Sequence, residues 1–244
     1  MLYGSTAAEG EEYTSMIPIR DTQRSRTRPV VNWLLILVNL LVFIYELGLS
    51  DRALNLFTVK YGVIPAVLTD SGSFTRETLM MTSGWFSLVT SLFVHVGWVH
   101  VLGNLMYLFI FGDNVEDRMG HGRYLAFYLT SGIIASLAHV FSSPSSTVPT
   151  VGASGAIAGV LGAYFVMFPR ARVLALIPIG FFLPMIEVPS IVFLFLWFIT
   201  NLFSGVASLG ATAQGGVAWW AHIGGFVAGM VLAFVFRRPR RSRV

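Results

Sequence analysis

Six apolar stretches divide the chain, and a chain that carries them cannot fold as a water-soluble globule. They run from about Val31 to Leu49, Trp98 to Asn114, Arg123 to Phe141, Ser154 to Phe168, Pro189 to Ala207 and Val217 to Phe236. A membrane-crossing helix needs about 20 predominantly apolar residues, with a usable range of roughly 17–25. The second and fourth stretches are short, so one end of each is expected to sit below the membrane surface and leave room there for water. Charged residues are only 11% of the 244, against about 25% in an ordinary soluble domain, which is too little to coat these stretches in water. Cysteine is absent, which excludes a secreted disulfide scaffold. The expected fold class is an all-α polytopic membrane protein with a bundle of six transmembrane helices.

The basic residues set an expected orientation. Arg20, Arg24, Arg26 and Arg28 precede the first apolar stretch, and Arg237, Arg238, Arg240, Arg241 and Arg243 follow the last. The loops after odd-numbered stretches hold only Arg52, Lys60 and Arg76, and the other thirteen of the sixteen basic residues lie in the tails and the remaining loops. This asymmetry places both termini in the cytosol of a cell (inner or cytoplasmic) membrane. It also makes a nucleic-acid partner the weaker reading of the net charge of +4. Residues 1–29 read as a flexible cytosolic tail, with Met16 a candidate start, residues 30–236 as the membrane domain, and residues 237–244 as a basic cytosolic tail. The segment 50–97 holds too many polar and turn residues to cross. It is expected outside, as short amphipathic helices lying partly among headgroups.

A polar side chain inside an apolar span is costly and is a functional hypothesis by default. Three clusters stand out. In His95-Val-Gly-Trp-Val-His100-Val-Leu-Gly-Asn104, His100 and Asn104 are four residues apart and share a helix face. Interhelical hydrogen bonding would also explain them. In Gly152-Ala-Ser154-Gly155, the serine opens the fourth stretch, and Gly155, Gly159 and Gly162 form a face that allows close helix approach. The free N–H groups of that helix start point at whatever binds there. In Ala221-His222-Ile-Gly-Gly225, the histidine lies beside a stripe of small residues, Ala218, Ala221, Gly225 and Gly229. Packing this stripe on the glycine face would bring Ser154 and His222 within hydrogen-bond reach. His121 and His139 receive a structural reading. Asp113, Glu116, Asp117 and Arg118 are expected to close the second helix with local ion pairs, and Glu46 and Glu187 to lie at the interface.

Nucleophilic catalysis fits these groups better than metal binding, which usually wants three or four His, Cys or carboxylate ligands at one depth. Serine needs a base, and His222 can supply one. Asn104, His100 and the Ser154 N–H are suitable donors for a developing oxyanion. No acid is evident to orient His222, so a Ser–His pair is expected rather than a triad. No cofactor and no metal are expected.

Taken in order, His95, His100-xxx-Asn104, Gly152-Ala-Ser154-Gly155 and Ala221-His222-Ile-Gly-Gly225 resemble the rhomboid family of intramembrane serine proteases. The resemblance covers most of residues 30–236, including Phe111-Gly-Asp-Asn-Val-Glu-Asp117. It implies a six-helix bundle in which Ser154 is the nucleophile and His222 the general base of a serine-type endopeptidase. It further implies Asn104 and His100 as oxyanion donors, and His95, Gly152 and Gly155 in supporting positions. The implied partners are the lipid bilayer and single-span membrane-protein substrates, cut near the outer face of the membrane at a small residue where the substrate helix unwinds. Two departures stand out: Trp85-Phe86-Ser87 lacks the arginine that often follows the tryptophan, and Ala158 stands where many members carry an aromatic four residues after the serine. Trp219 or Trp220 could supply that packing surface. The loop 208–216 is a candidate lid and the fifth helix a candidate lateral gate. An inactive rhomboid-like protein that binds transmembrane helices without cutting them is the alternative. A channel or transporter is disfavoured because the polar groups cluster near one face.

Overall fold

The computed structural model describes residues 16–70, 75–178, 182–209 and 217–238. Each apolar stretch contains one long helix: α1 (Val30–Leu47), α2 (Trp98–Met119), α3 (His121–Ser142), α4 (Ser154–Met167), α5 (Ser190–Ser208) and α6 (Trp219–Phe236). Among the described residues α1, α3, α5 and α6 are long and apolar enough to cross a membrane. A fifth crossing results if Leu79–Phe93 and α2, bent by 76° at their junction, count as one broken span. Six crossings were expected. The shortfall has two physical causes: α4 has only 14 residues, and the last turns of α2 carry Asp113, Glu116, Asp117 and Arg118.

Local ion pairs and capping were expected of these charges; the three acids Asp113, Glu116 and Asp117 instead hold the chain that enters α1. The buried Glu116 carboxylate accepts hydrogen bonds from the backbone N–H groups of Val31 (3.0 Å) and Asn32 (2.7 Å). These are two of the free donors at the start of α1, which Pro29 cannot cap with a side-chain acceptor. Asp113 accepts from Ser25 Oγ (2.6 Å), and Asp117 from the N–H (2.9 Å) and Oγ1 (2.7 Å) of Thr27. His121 also contacts Glu116 through Nδ1. Gly120, at φ +80°, turns the chain from α2 into α3, a conformation that favours glycine.

The core sits around α4, whose residues from Gly155 to Tyr164 are all buried. A helix apolar on every side is stable only when surrounded. The outer helices do the reverse and leave Leu41 and Ile44 of α1, Phe195 and Phe203 of α5, and Phe234 and Val235 of α6 exposed, a continuous apolar rim of the kind lipid covers.

At the Gly120 end of the bundle lies a sheet that the apolar pattern did not predict. Strands β1 (Ile17–Asp21), β2 (Arg172–Leu176) and β3 (Met185–Pro189) pair antiparallel in the order β1-β2-β3. Ile17 faces Leu176, and Arg172 faces Pro189. The flexible tail expected over residues 1–29 therefore gives way at residues 17–21. Backbone pairing to β2 and the Asp21 carboxylate hold this strand. Asp21 accepts from the hydroxyl of Tyr164 on α4 and from Asn114 Nδ2 (3.0 Å). Residues 1–15 and 239–244 of the two expected tails lie outside the described residues. The segment between α1 and α2 forms short helices, as expected. The longest, Asp51–Tyr61, is capped by Ser50, whose Oγ accepts from Ala53 N–H (3.4 Å).

Burial raises the Asp21 carboxyl to about 6, against the lowering effect of the Tyr164 hydrogen bond and with a further push from Asp113. A folded value above the ordinary 3.8 means that protonation favours the docked strand. The contribution is complete below the ordinary value and is lost as pH rises through about 6. Amide-exchange protection of β1, corrected for intrinsic rates, is expected to fall as pH rises from the ordinary value of 3.8 to about 6 and to level off above it. Asp21→Asn should remove that dependence, and protection independent of pH in the wild type would contradict it.

Candidate active site

The helix contact that builds the site is made by small residues. A Cβ on Gly225 of α6 would lie 2.1 Å from the Gly155 carbonyl oxygen of α4. One on Gly162 would lie 2.0 Å from the Phe226 oxygen, and a Cβ on Gly229 would fall on the Gly159 oxygen. The backbones of α4 and α6 therefore touch without intervening side chains, as the glycine face and the small-residue stripe predict.

This approach brings the start of α4 and the first turn of α6 together. Ser154 Oγ lies 2.8 Å from His222 Nε2. Ser154 is the first residue of α4, so its own N–H belongs to the helix's unpaired first turn. The other face of the ring is not free: His222 Nδ1 lies 2.7 Å from Oδ1 of Asn201 on α5. The sequence reading found no orienting group for His222 and missed this carboxamide. Asn201 is a polar residue inside an apolar stretch, and that same signal, applied to the fifth stretch, would have found it. Trp219 packs edge-on to the imidazole (6.1 Å between centroids, 88°). Trp197 of α5 lies at 5.9 Å and 34° on another side. Trp219 was one of the two candidates to replace an aromatic at Ala158; Trp197 was not foreseen.

His100, Asn104, Gly152, Ser154 and His222 line one cavity of about 1410 Å³, together with Trp197 and Trp219. Asn104 Nδ2 is buried and has no hydrogen-bond partner, the state of a donor held for something not yet present. Gly152 lies at φ +122°, and a Cβ there would sit 2.5 Å from His100 Nε2 and 3.7 Å from Asn104 Nδ2. Only glycine leaves the His100 ring room two residues before Ser154.

The loop that delivers Ser154 is held from behind. His95 Nε2 accepts from the Ala153 N–H (3.3 Å), and the Gly152 N–H donates to the Ser91 carbonyl (2.8 Å). His95 is buried, and its backbone N–H is shared by both carboxylate oxygens of Glu46 (3.2 Å each). Glu46, expected at the interface, is instead buried near the end of α1 as an anchor for this loop. Glu187 is exposed, in β3, and pairs with Arg172 (3.2 Å). His121 lies at the opposite end of the bundle, and His139 lines the cavity with Nδ1 unpartnered. Residues 210–216, most of the candidate lid, lie outside the described residues. Among the described residues no group of three or more His, Asp or Glu is placed to hold a metal ion.

The geometry supplies a hydroxyl against a ring nitrogen, an unpartnered amide donor and a helix N-terminus around one cavity. If Asn104 donates to an oxyanion there, Asn104→Ala should lower kcat by about 10²–10³-fold, or about 2.7–4 kcal/mol, with KM little changed. Steady-state kinetics on a membrane-embedded substrate would check this, and an unchanged kcat would remove Asn104 from the site.

The chain is similar to known proteins over most of this region. A rhomboid domain matches residues 82–239, more than half of the chain. Rhomboid protease GluP of Bacillus subtilis (strain 168) is 28% identical over 239 residues, covering 94% of this chain and 41% of that protein. RHOMBOID-like protein 4 of Arabidopsis thaliana is 33% identical over 167 residues, 68% of this chain and 38% of that one. Rhomboid-like protein 11, chloroplastic, also of Arabidopsis thaliana, is 40% identical over 75 residues, 31% and 26%. The matched stretch spans about two fifths or less of each of these relatives. With its apolar helices and a matched domain that takes in α2 to α6, this is a multi-pass membrane protein, and the chain belongs to the rhomboid family.

Proposed function

We propose that the protein is an intramembrane serine endopeptidase that hydrolyses a peptide bond in or beside the transmembrane segment of a single-span membrane protein. The observation that carries this reading is the 2.8 Å contact between Ser154 Oγ and His222 Nε2 inside a cavity lined by spare donors. Ser154 Oγ attacks the scissile carbonyl carbon while His222 Nε2 takes the hydroxyl proton. The carbonyl oxygen becomes an oxyanion, received by Asn104 Nδ2, His100 Nε2–H and the Ser154 N–H. His222 then protonates the departing amine. A water, deprotonated by the same nitrogen, releases the acyl group and restores the serine. His95, Gly152 and Gly155 support the serine loop and the helix contact, and neither a cofactor nor a metal takes part.

Hydrolysis needs water, and the short α4 supports its entry. Fourteen residues make a helix about 21 Å long, against a hydrocarbon core of about 30 Å. If the six helices all cross, Ser154 lies several ångströms below the outer surface, in a cavity open to it. Both termini then lie in the cytosol of a cell membrane, with residues 30–236 forming the protease domain. A substrate helix hides its carbonyls in its own hydrogen bonds and must unwind before attack.

The experiment is cleavage of a model single-span protein by the wild type in liposomes, with the products mapped by mass spectrometry. A single cut in or next to the membrane segment is expected. Binding of the substrate with no product would favour the alternative of a non-cleaving helix-binding protein.

A further inference from the structure

The His222 ring can act as base only in one of its two neutral forms. Nε2 must be bare to accept the serine proton, so the ring hydrogen has to be on Nδ1. An isolated imidazole does not hold that form by itself, and a buried Nδ1–H needs an acceptor. Asn201 provides one, and its own orientation is fixed. Its Nδ2 donates to the carbonyl oxygen of Trp197 one turn earlier on α5 (2.7 Å), which turns Oδ1 toward His222 Nδ1 (2.7 Å). Flipping the amide would set Oδ1 against the Trp197 oxygen and an N–H group against the ring. The hydrogen-bond chain runs in one direction: Asn201 to Trp197, His222 to Asn201, and Ser154 to His222.

Asn201 is also the one carboxamide in α5, a helix otherwise of apolar and small hydroxyl residues. It is buried, and a buried amide is destabilising unless partnered. Its placement serves the ring rather than the helix, since α5 is already held on α6 by Phe198 stacked on Phe226 (4.9 Å) and by Trp197 beside Phe226 (6.0 Å).

We propose that Asn201 is a positioning residue that locks His222 in its Nδ1–H form and so ties the competence of the base to the seating of α5. It replaces, with a neutral acceptor, the carboxylate that orients the histidine of a three-membered serine protease site. The inference rests on the proposed dyad. A displacement of α5 that carried Asn201 away would leave the ring free to take the unproductive form, while the Ser154 and His222 backbones stayed in place.

The test uses the full chain in liposomes with a single-span substrate. Asn201→Leu keeps the bulk and removes the acceptor. Its kcat is expected to fall by about 10–100-fold, the loss seen when the hydrogen-bond partner that orients a metal-bound histidine is removed, with KM unchanged and with the same loss in the rate of fluorophosphonate labelling at Ser154. Asn201→Asp restores an acceptor of the same shape and is expected to recover most of both rates. Undiminished kcat in Asn201→Leu would overturn the proposal, and so would equal loss in the leucine and aspartate variants. A reading independent of Asn201 variants comes from nitrogen-15 histidine spectra of Ser154→Ala, with His222 assigned by its loss in Ser154→Ala/His222→Gln. The hydrogen is expected on Nδ1; finding it on Nε2 would also overturn the proposal. If Ser154→Ala itself still cleaved, the dyad would be wrong, a failure distinct from that of Asn201.

Discussion

Ser154→Ala and His222→Ala are each expected to leave no measurable cleavage of a single-span substrate in liposomes, while both proteins remain folded. The two groups act as a unit: without the hydroxyl there is no nucleophile, and without the ring nothing removes its proton. Groups that work as one unit lose activity non-additively, so the double variant should be no worse than either single one. Both substitutions remove atoms that line the cavity rather than atoms of the packed core, so thermal stability should shift little. Ser154 is partly exposed and His222 half-buried, unlike the helix contact beneath them. Turnover by Ser154→Ala equal to the wild type would remove Ser154 as nucleophile. Turnover lost together with the folded state would not, because the fluorophosphonate adduct on Ser154 is located in the wild-type protein.

A bulky residue at Gly225 is expected to have the second large effect, through packing instead of chemistry. Gly225→Val places a Cβ 2.1 Å from the Gly155 oxygen and against the Ala158 Cβ at 3.2 Å. No side chain can rotate out of the way, because the obstacle is main chain. Overpacking a well-fitted core costs about 1–3 kcal/mol where side chains can yield, and here α4 and α6 must move apart instead. Their separation would also lengthen the Ser154–His222 contact one turn away. The expected result is a lowered Tm in detergent together with loss of Ser154 labelling. Gly122→Ala is the control: nothing lies within 4 Å of its Cβ, and it should be neutral in both measurements. A Gly225→Val protein as stable and as reactive as the wild type would mean that the two helices are not pressed together.

How much of this was legible in the sequence follows from where each feature gets its energy. The six helices were legible because burial in lipid acts on residue type alone, and each apolar stretch yields one helix with ends displaced by up to about one and a half turns. The largest displacement is at α2, which continues to Met119 instead of ending near Asn114. Its acidic residues bind the chain entering α1, and no local pattern announces partners more than 80 residues away. The meeting of Ser154 and His222 was legible from two stripes of small residues, since close backbone approach needs nothing else.

The sheet was not legible. Strands of five residues with one-sided burial, such as β2 with Val173 and Ala175 inside, are defined by their partners and not by their own period. Asn201 was missed for a different reason. An acid is the usual orienting group, whereas a carboxamide with its N–H group already engaged offers the same acceptor without a charge to bury. Trp197 was missed with it, one turn away on the same helix.

The most direct measurement of the central contact is covalent. Wild-type protein in liposomes, treated with a fluorophosphonate and digested, is expected to carry the adduct on Ser154, and His222→Ala treated in the same way is expected to carry almost none. An adduct on another residue, or equal labelling of Ser154 with and without the His222 ring, would contradict a serine activated by that histidine.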